Sequence, residues 1–309
     1  MFGNSVFALN PVAFTIFGKD IYWYSIILTV AVITTLLLAI HFGKKKGYSD
    51  EVFIDLCFVI LIPGIIGARL LYVILNFSQY QDNLIEILYI WKGGLAILGG
   101  FILAFPAFLI YCKKKKLNAW EILDIIMPCL AIGQAIGRWG NFTNQEAYGL
   151  AVTNEAFQFF PVAIFIDRDS TWHLATFFYE SIWSLFTFFV LLKVDKVKKK
   201  EGDVFLLYLM MYAFIRIVLE FLRVDGKVGN QIIAAVLLFA ALIVYMVRRK
   251  IEKDAKFNAK FRSKFRKHEF AFDDEDSDNE SFSQQQIDSS EEHGIEDTPE
   301  EIQGENKEN

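Results

Sequence analysis

Residues 53–75 of this 309-residue chain read FIDLCFVILIPGIIGARLLYVIL, and only Asp55 and Arg69 among them carry a charge. An α-helix rises about 1.5 Å per residue, so a helix of this length crosses the roughly 30 Å hydrocarbon core of a bilayer. The whole chain is 54% hydrophobic, with a mean hydropathy of +0.34, although its last part is almost entirely polar. The apolar residues are therefore concentrated upstream, which favours an integral membrane protein over soluble domains.

Stretches of similar length and polarity lie on both sides of residues 53–75. They predict an all-α integral membrane protein, a bundle of about seven transmembrane helices. The expected spans are residues 21–42, 53–75, 94–112, 120–137, 171–192, 204–222 and 231–247. Clusters of lysine or arginine follow the first, third, fifth and seventh, at residues 44–46, 113–116, 193–200 and 248–250. By the positive-inside rule the N-terminus lies outside the cell and the C-terminus inside.

The chain divides by composition into three regions. Residues 1–250 form the transmembrane domain, in which residues 140–170 are too long for a simple turn and are expected to form an external cap. Residues 251–270 mix Lys and Arg with Phe, which fits either a helix on an anionic leaflet or a solvated flank of the last span. Residues 271–309 are rich in Asp, Glu, Ser and Gln, and this composition predicts a disordered acidic tail.

Several classes of function are disfavoured by what the sequence lacks. The three cysteines lie inside apolar runs and are odd in number, so a disulfide framework is not expected. No metal-ligand spacing, phosphate loop or Ser-His-Asp pattern occurs, so neither a metal nor another cofactor is expected. Residues 1–20 lack the pattern of a cleavable signal peptide. The membrane is an expected partner and nucleic acid is not.

Four arginines lie within the predicted spans or at their ends, where a charge is costly unless it is paired or functional. Arg69 and Arg216 fall in the outer halves of their spans, and Arg138 marks the outer end of the fourth. Arg216, Glu220 and Arg223 share one helical face because they follow each other at spacings of four and three. One interpretation of this face is an ion pair that only fixes helix packing.

The other interpretation is an anion site, because the four arginines carry more positive charge than nearby acidic residues can neutralise. Those acidic residues are Glu146, Glu180 and Glu220. Guanidinium groups bind phosphate through two parallel hydrogen bonds, so an anionic lipid headgroup is the expected partner. Gly93 and Gly94, at the predicted start of the third span, would also turn backbone N–H groups toward an anion.

The most specific signal is the segment 137–149, which reads GRWGNFTNQEAYG. It resembles the signature of the bacterial prolipoprotein diacylglyceryl transferases, which has Gly-Arg, Gly-Asn-Phe, Asn, Glu and Gly at fixed spacing. Similar segments occur in the family's order along roughly residues 11–247. They are residues 21–24 (IYWY), 67–72 (GARLLY), 91–95 (WKGGL), 173–180 (HLATFFYE) and 212–225 (YAFIRIVLEFLRVD).

The resemblance implies transfer of the diacylglyceryl group of phosphatidylglycerol to the lipobox cysteine of a prolipoprotein. It also implies a multi-pass protein of the bacterial cell membrane, with residues 1–250 as the catalytic domain and the active site toward the outer leaflet. A thiolate is the nucleophile in such a step, and cationic groups stabilise the departing phosphate. Arg138 and Arg216 are the expected catalytic arginines, and Tyr24 is the leading candidate for the base.

Other positions of these motifs are expected to bind or orient the lipid. Asn141 would hold the headgroup or its own loop, while Glu146 and Glu220 would orient arginines. The remaining substrate-binding candidates are Gly149, Arg69, Arg223, Glu180, Gly93 and Gly94. The base itself is left open between Tyr24, Glu180, His173 and a water molecule.

The chain departs from the family's pattern at the start of the third span. The family usually has His, sometimes Tyr, before the glycine pair, whereas Leu98 precedes Gly99 and Gly100 here. A group often assigned to thiol activation or hydrogen bonding is therefore absent. Two other functions stay open for this fold, an anion transporter and a catalytically weakened lipid-binding scaffold.

Overall fold

Helices dominate the computed structural model, which describes residues 10–224, 229, 231–254 and 256–259. The helices are α1 (Trp23–Lys45), α2 (Asp50–Leu75), α3 (Ile97–Lys114), α4 (Ala119–Thr143), α5 (Thr176–Val197), α6 (Asp203–Glu220) and α7 (Gln231–Ala259). Two antiparallel hairpins accompany them, β1 (Val12–Ile16) with β2 (Lys19–Tyr22) and β3 (Ala163–Ile166) with β4 (Thr171–Leu174). The expected helical bundle is thus present, with small β-hairpins that were not predicted.

Six helices are long and apolar enough to cross a membrane, namely α1 to α5 and α7. Helix α6 has 18 residues, but Asp203, Arg216 and Glu220 are among them. These charges explain why composition alone does not mark α6 as a span. The prediction of a multi-pass membrane protein is confirmed at this level.

Three predicted span boundaries are wrong. Helix α3 begins at Ile97 rather than at residue 94, because Gly93 and Gly94 adopt left-handed φ angles of 83° and 74° outside the helix. Helix α4 continues past residue 137 to Thr143. Residues 171–174 are strand β4, paired with β3 from Ala163↔Leu174 to Ile166↔Thr171, and α5 begins only afterwards. The acidic tail predicted for residues 271–309 lies outside the described residues.

Helices that follow each other in the chain, from α1 to α6, run in opposite directions. The start of α1 meets the end of α4, where the ring of Tyr24 lies against Gly140, and farther along the Thr35 hydroxyl donates to the Cys129 carbonyl at 3.3 Å. The start of α3 likewise meets the end of α2, since the Ala96 N–H donates to a carbonyl of α2. We call the end at which α1, α3 and α5 begin the motif end, and the opposite end the lysine end.

The main hydrophobic core lies toward the lysine end and draws on α1 to α6. Its most deeply buried side chains are Leu56, Cys112, Ile122, Cys129, Leu191 and Val204. Toward the motif end, α2 and α3 pack on each other through glycines. A Cβ on Gly67 would lie 2.3 Å from the Gly99 carbonyl oxygen, and one on Gly99 would lie 2.2 Å from that of Gly67. Only residues without a side chain allow this approach, as is common between membrane helices.

A buried carboxylate fastens the start of α6 to α4 at the lysine end. Asp124, whose side chain is fully buried, accepts hydrogen bonds from the backbone N–H groups of Gly202 at 2.7 Å and Phe205 at 2.9 Å. It also pairs with Lys198 at 2.6 Å, and Lys198 contacts Asp195 at 3.0 Å. Gly202 has a φ of 89° and cannot cap α6 with a side chain, so Asp124 supplies the cap from another helix.

The chain forms two compact units, the second of which begins at Met246. Its described residues continue α7 to Ala259. Arg249 and Lys256 pair with Glu252 there, at helical spacings of three and four. The rest of the basic segment predicted for residues 251–270 lies outside the described residues.

Candidate functional site

A carboxylate joins two arginines near the motif end of the bundle. Glu180 on α5 lies 2.5 Å from Arg138 Nη2 on α4 through one oxygen and 3.4 Å from Arg216 Nη1 on α6 through the other. Arg216 Nη2 also lies 3.4 Å from Glu220 one turn along α6. The side chains of Glu180 and Glu220 are only 5% and 2% exposed, while those of the arginines are 23% and 19% exposed. We call Arg138, Glu180, Arg216 and Glu220 the arginine cluster. Its carboxylates are buried, whereas its guanidinium groups are partly exposed.

The members of the arginine cluster lie at one level of the bundle. Arg138 is five residues from the end of α4, Glu180 four from the start of α5, and Arg216 four from the end of α6. At about 1.5 Å per residue, all three lie about 6–8 Å from the motif end. The arginine cluster is therefore within reach of an anionic group that enters the bundle at the motif end.

The segment after Arg138 turns back over the end of α4. The Asn141 side chain donates to Glu146 Oε1 at 3.0 Å, and the Glu146 N–H donates to the Asn141 carbonyl at 3.0 Å. Gln145 and Ala147 on either side of Glu146 adopt left-handed φ angles of 47° and 58°. Gln145 bonds both the backbone N–H and the carboxylate of Asp167, which ties the turn to the β3–β4 hairpin.

Tyr24 lies beside this turn. Its ring is packed on the backbone of Gly140, where a Cβ would lie 2.8 Å from a ring carbon. The phenol is close enough to Glu146 and Arg138 for their charges to act on it. The structure therefore brings Tyr24, Asn141, Glu146 and Arg138 together at the motif end, as the sequence predicted for one site.

Gly149 lies where three segments cross. Its N–H donates to the Leu174 carbonyl at 2.9 Å, and it forms a β-bridge with Arg223 just beyond α6. A Cβ here would lie 2.6 Å from that of Leu174 and 2.8 Å from the Leu222 carbonyl oxygen. Gly149 therefore holds the cap against the end of α6 through its backbone, and its lack of a side chain is what permits the crossing.

His173 is buried within the cap and bound on both sides. Its Nδ1 lies 2.8 Å from the Gly149 carbonyl oxygen and its Nε2 lies 2.8 Å from Asp169 Oδ2. Desolvation raises the pKa of Asp169, but the hydrogen bonds from His173 and Thr171 outweigh it, so the pKa lies below its ordinary value. Both ring nitrogens are thus engaged, which disfavours His173 as the base that the sequence left open.

Arg69 donates to backbone carbonyls rather than to the charged side chains of the predicted site. Its guanidinium, buried on α2, donates to the carbonyls of Glu86, Ile87, Gly93 and Gly94 at 2.7–2.9 Å. The Gly93 N–H donates to Ile90 at 3.2 Å. The two glycines therefore turn carbonyls toward Arg69, and the expected placement of Gly93 at a helix N-terminus facing an anion is wrong, because α3 starts later.

Arg69→Lys is expected to lower the free energy of unfolding by at least about 2 kcal/mol, because one ammonium cannot reach four separate carbonyls and buried acceptors would be left unpaired. Thermal unfolding in detergent and proteolysis within residues 76–96 measure the effect. Arg168→Lys, at an exposed arginine of the cap, is the control and should change stability by less than about 0.5 kcal/mol. An unaltered melting temperature and digestion pattern for Arg69→Lys would show that the four hydrogen bonds are dispensable.

Sequence patterns did not indicate residues whose role depends on contacts between distant parts of the chain. Gln145 is part of the quoted motif, yet nothing in the pattern pairs it with Asp167. Ser181 follows Glu180, and its hydroxyl donates to the Ala135 carbonyl at 2.8 Å. Within the described residues, no group of three or more His, Cys, Asp or Glu side chains could hold a metal ion.

The fold and the site define a multi-pass membrane protein with a buried arginine–carboxylate cluster near one end of its helices. A model of the prolipoprotein diacylglyceryl transferase family matches residues 11–247. The chain belongs to this family. The segments singled out in the sequence, from residues 21–24 to residues 212–225, all lie within the matched range.

Relatives of similar length carry the same family name. The phosphatidylglycerol–prolipoprotein diacylglyceryl transferase of Listeria monocytogenes serotype 4b (strain CLIP80459) is 36% identical over 256 residues, which cover 80% of this chain and 92% of that protein. The proteins of the same name from Bacillus licheniformis and Limosilactobacillus reuteri (strain DSM 20016) are 39% and 37% identical. Their alignments cover 77% and 78% of this chain and 92% of each relative.

Proposed function

We propose that this protein transfers the diacylglyceryl group of phosphatidylglycerol to the lipobox cysteine of prolipoproteins, with release of glycerol phosphate. The observation that carries the proposal is the pair of arginines, Arg138 and Arg216, that share Glu180 near the motif end. The family membership and the names of the relatives support the same reaction. This step is the first in the maturation of a bacterial lipoprotein.

We infer that α6 is a seventh span and that the motif end lies at the outer leaflet of the bacterial cell membrane. Two of the charges that set α6 apart are paired inside the protein, since Arg216 contacts both Glu180 and Glu220. A paired charge costs far less in a bilayer than an isolated one. Lysines cluster at the lysine end, which supports its placement in the cytoplasm with the N-terminus outside.

The proposed reaction is a substitution at the glyceryl carbon that carries the phosphate. The cysteine thiolate forms the new C–S bond, the C–O bond breaks, and both of its electrons leave with the phosphate oxygen. Arg138 and Arg216 stabilise the charge that develops there, since fixed cationic donors act strongly in a site shielded from water. Glu180 and Glu220 hold the two guanidinium groups in place before the lipid arrives.

The thiol proton needs an acceptor, and Tyr24 is the candidate that the contacts support best. Both oxygens of Glu180 are held by arginines, and both nitrogens of His173 are bound inside the cap. Tyr24 lies in the same site as Arg138, with its ring packed on the backbone of Gly140. A nearby arginine also lowers the pKa of the thiol of the substrate, which reduces the demand on the base.

The remaining motif residues shape the site. Asn141 and Glu146 hold each other in the turn over α4, and we propose that this turn binds the glycerol of the headgroup. Gly149 and Arg223 join the cap to the end of α6 at the rim of the site. Arg69 with Gly93 and Gly94 fixes the segment before α3, so its contribution to substrate binding is through the position of that segment.

The test is transfer of labelled diacylglyceryl from phosphatidylglycerol to a lipobox peptide by the purified protein in detergent. Label should appear on the peptide and be absent from a peptide in which the cysteine is replaced by serine. Phosphatidylcholine in place of phosphatidylglycerol should give no transfer. Folded protein that binds phosphatidylglycerol but transfers nothing would overturn the proposed reaction and favour the scaffold.

Leu98→His is expected to leave the transfer rate unchanged or to raise it. The Leu98 side chain is 56% exposed at the start of α3, so a histidine fits there without displacing a packed neighbour. The transfer assay with both proteins at equal concentration measures the effect. A loss of more than about tenfold, about 1.4 kcal/mol in the barrier, would mean that this part of α3 packs differently during catalysis.

A further inference from the structure

An apolar groove of about 290 Å³ runs between α1, α4 and α5. Its walls include Ile27, Ile132, Ala135, Trp139, Ser181 and Leu185. Hydrocarbon side chains make up most of this surface. A groove of this composition suits an alkyl chain and offers little to a polar ligand.

The length of the groove along the helices is comparable with the thickness of one leaflet's hydrocarbon. Trp139 is four residues from the end of α4 and Ile132 eleven, which correspond to about 6 and 16 Å at 1.5 Å per residue. Ile27 and Leu185 give about 6 and 14 Å by the same rise along α1 and α5. The groove thus covers about 10 Å of the roughly 15 Å that one leaflet of hydrocarbon provides.

Two residues of the groove wall adjoin the arginine cluster in the chain. Trp139 and Ser181 follow directly on Arg138 and Glu180, which are in contact at 2.5 Å. Trp139 Nε1 donates to Ser181 Oγ at 3.2 Å, and Ser181 Oγ donates to the Ala135 carbonyl at 2.8 Å. The polar atoms of the upper wall are therefore satisfied within the protein, and the surface below them is apolar. A cationic cluster one residue along the chain from an apolar groove suits the phosphate and one acyl chain of a single anionic amphiphile.

We propose that this groove binds one acyl chain of the phosphatidylglycerol whose phosphate is held by Arg138 and Arg216. The inference rests on the proposed function and names the part of the substrate that the groove recognises. Because the groove ends near Ile132 and Leu185, it sets a preference for chain length and shape. Ala135 lines the groove, so a larger side chain there would fill part of the space for the acyl chain.

Transfer rates from dioctanoyl, dimyristoyl and dioleoyl phosphatidylglycerol test the inference. Ala135→Phe should lower kcat/KM for the dioleoyl lipid relative to the dioctanoyl lipid by about tenfold, because the ring would fill part of the space that the longer chain needs. Leu185→Ala widens the lower end and should shift the preference the opposite way. Ile182→Phe, on an exposed neighbour outside the groove, is the control and should keep the wild-type ratio.

Photolabelling provides a readout besides activity. Phosphatidylglycerol with a diazirine in its acyl chain should label peptides that contain Ile132 or Leu185 in the wild type and label them several-fold less in Ala135→Phe. Excess phosphatidylglycerol should compete with the label, and phosphatidylcholine should not. Equal competition by both lipids would overturn the inference, because it would identify the occupant as unselected bilayer lipid.

The two proposals fail in distinguishable ways. Absence of transfer from every lipid by folded wild-type protein would overturn the proposed function. Normal transfer with the same chain preference in wild type, Ala135→Phe and Leu185→Ala would overturn the groove assignment alone. Melting temperatures of both variants identify a folding defect, and Leu185→Ala keeps the test decisive if Ala135→Phe does not fold.

Discussion

Arg138→Ala is expected to reduce diacylglyceryl transfer by about 10³-fold, the upper range for removal of a preorganised donor to a developing negative charge. The variant loses the contact nearest to the proposed leaving phosphate. It also removes the closer of the two arginines that pair with Glu180, which is 5% exposed and keeps its contact with Arg216 at 3.4 Å. The measurement is the initial rate of labelled diacylglyceryl transfer to a lipobox peptide, with binding of phosphatidylglycerol determined alongside.

Two variants frame this result. Arg138→Lys keeps the charge but not the fork of donors, and should recover only part of the rate. Arg168→Ala removes an exposed arginine of the cap and should leave the rate unaltered. Transfer at the wild-type rate by folded Arg138→Ala protein would remove Arg138 from the mechanism. The same result for Arg216→Ala would remove the second arginine.

Asp124→Ala should lower the free energy of unfolding by about 3–5 kcal/mol, as when one partner of a buried ion pair is removed. Lys198 would keep only Asp195, and the N–H groups of Gly202 and Phe205 would lose their acceptor. The start of α6 would then be uncapped in a buried place. Thermal unfolding in detergent, monitored as the loss of soluble monomer, measures the change in stability.

The control for Asp124 is Asp50→Ala at the same end of the bundle. Asp50 pairs with Lys44 at 2.8 Å, but both side chains are about half exposed. Exposed pairs contribute at most about 1 kcal/mol, so this variant should melt close to the wild type. Equal melting temperatures for Asp124→Ala and Asp50→Ala would show that the buried cap does not stabilise α6.

The helical spans could be predicted because a bilayer demands long apolar segments, and residues 53–75 show this directly. Their ends were harder to predict. Helix α4 was expected to end at residue 137, but in residues 137–143 only the glycines disfavour a helix. Gly140 is accommodated in α4 because the ring of Tyr24 covers its backbone. Residues 171–174 directly precede an apolar run and were therefore included in the fifth span, but they pair with β3, a contact that hydropathy cannot show.

The members of the site could be found from the motif, whereas their pairing could not. Arg138 and Arg216 are 78 positions apart in the chain, and Glu180 joins them only because α4, α5 and α6 pack together. Arg69 was grouped with them by its depth and charge. Its actual partners are carbonyls of a segment without regular pattern, so no periodicity in the sequence could have indicated them.

Arg69 shows how backbone carbonyls outside the α-helices can be hydrogen-bonded without water. A loop of a soluble protein leaves its peptide carbonyls to be hydrated, but hydrocarbon offers nothing in exchange. The guanidinium of Arg69, on α2, takes the place of water. It donates one hydrogen bond to each of four carbonyls between residues 86 and 94. The backbone before α3 can therefore stay outside the α-helices, and a side chain of the neighbouring helix holds its shape.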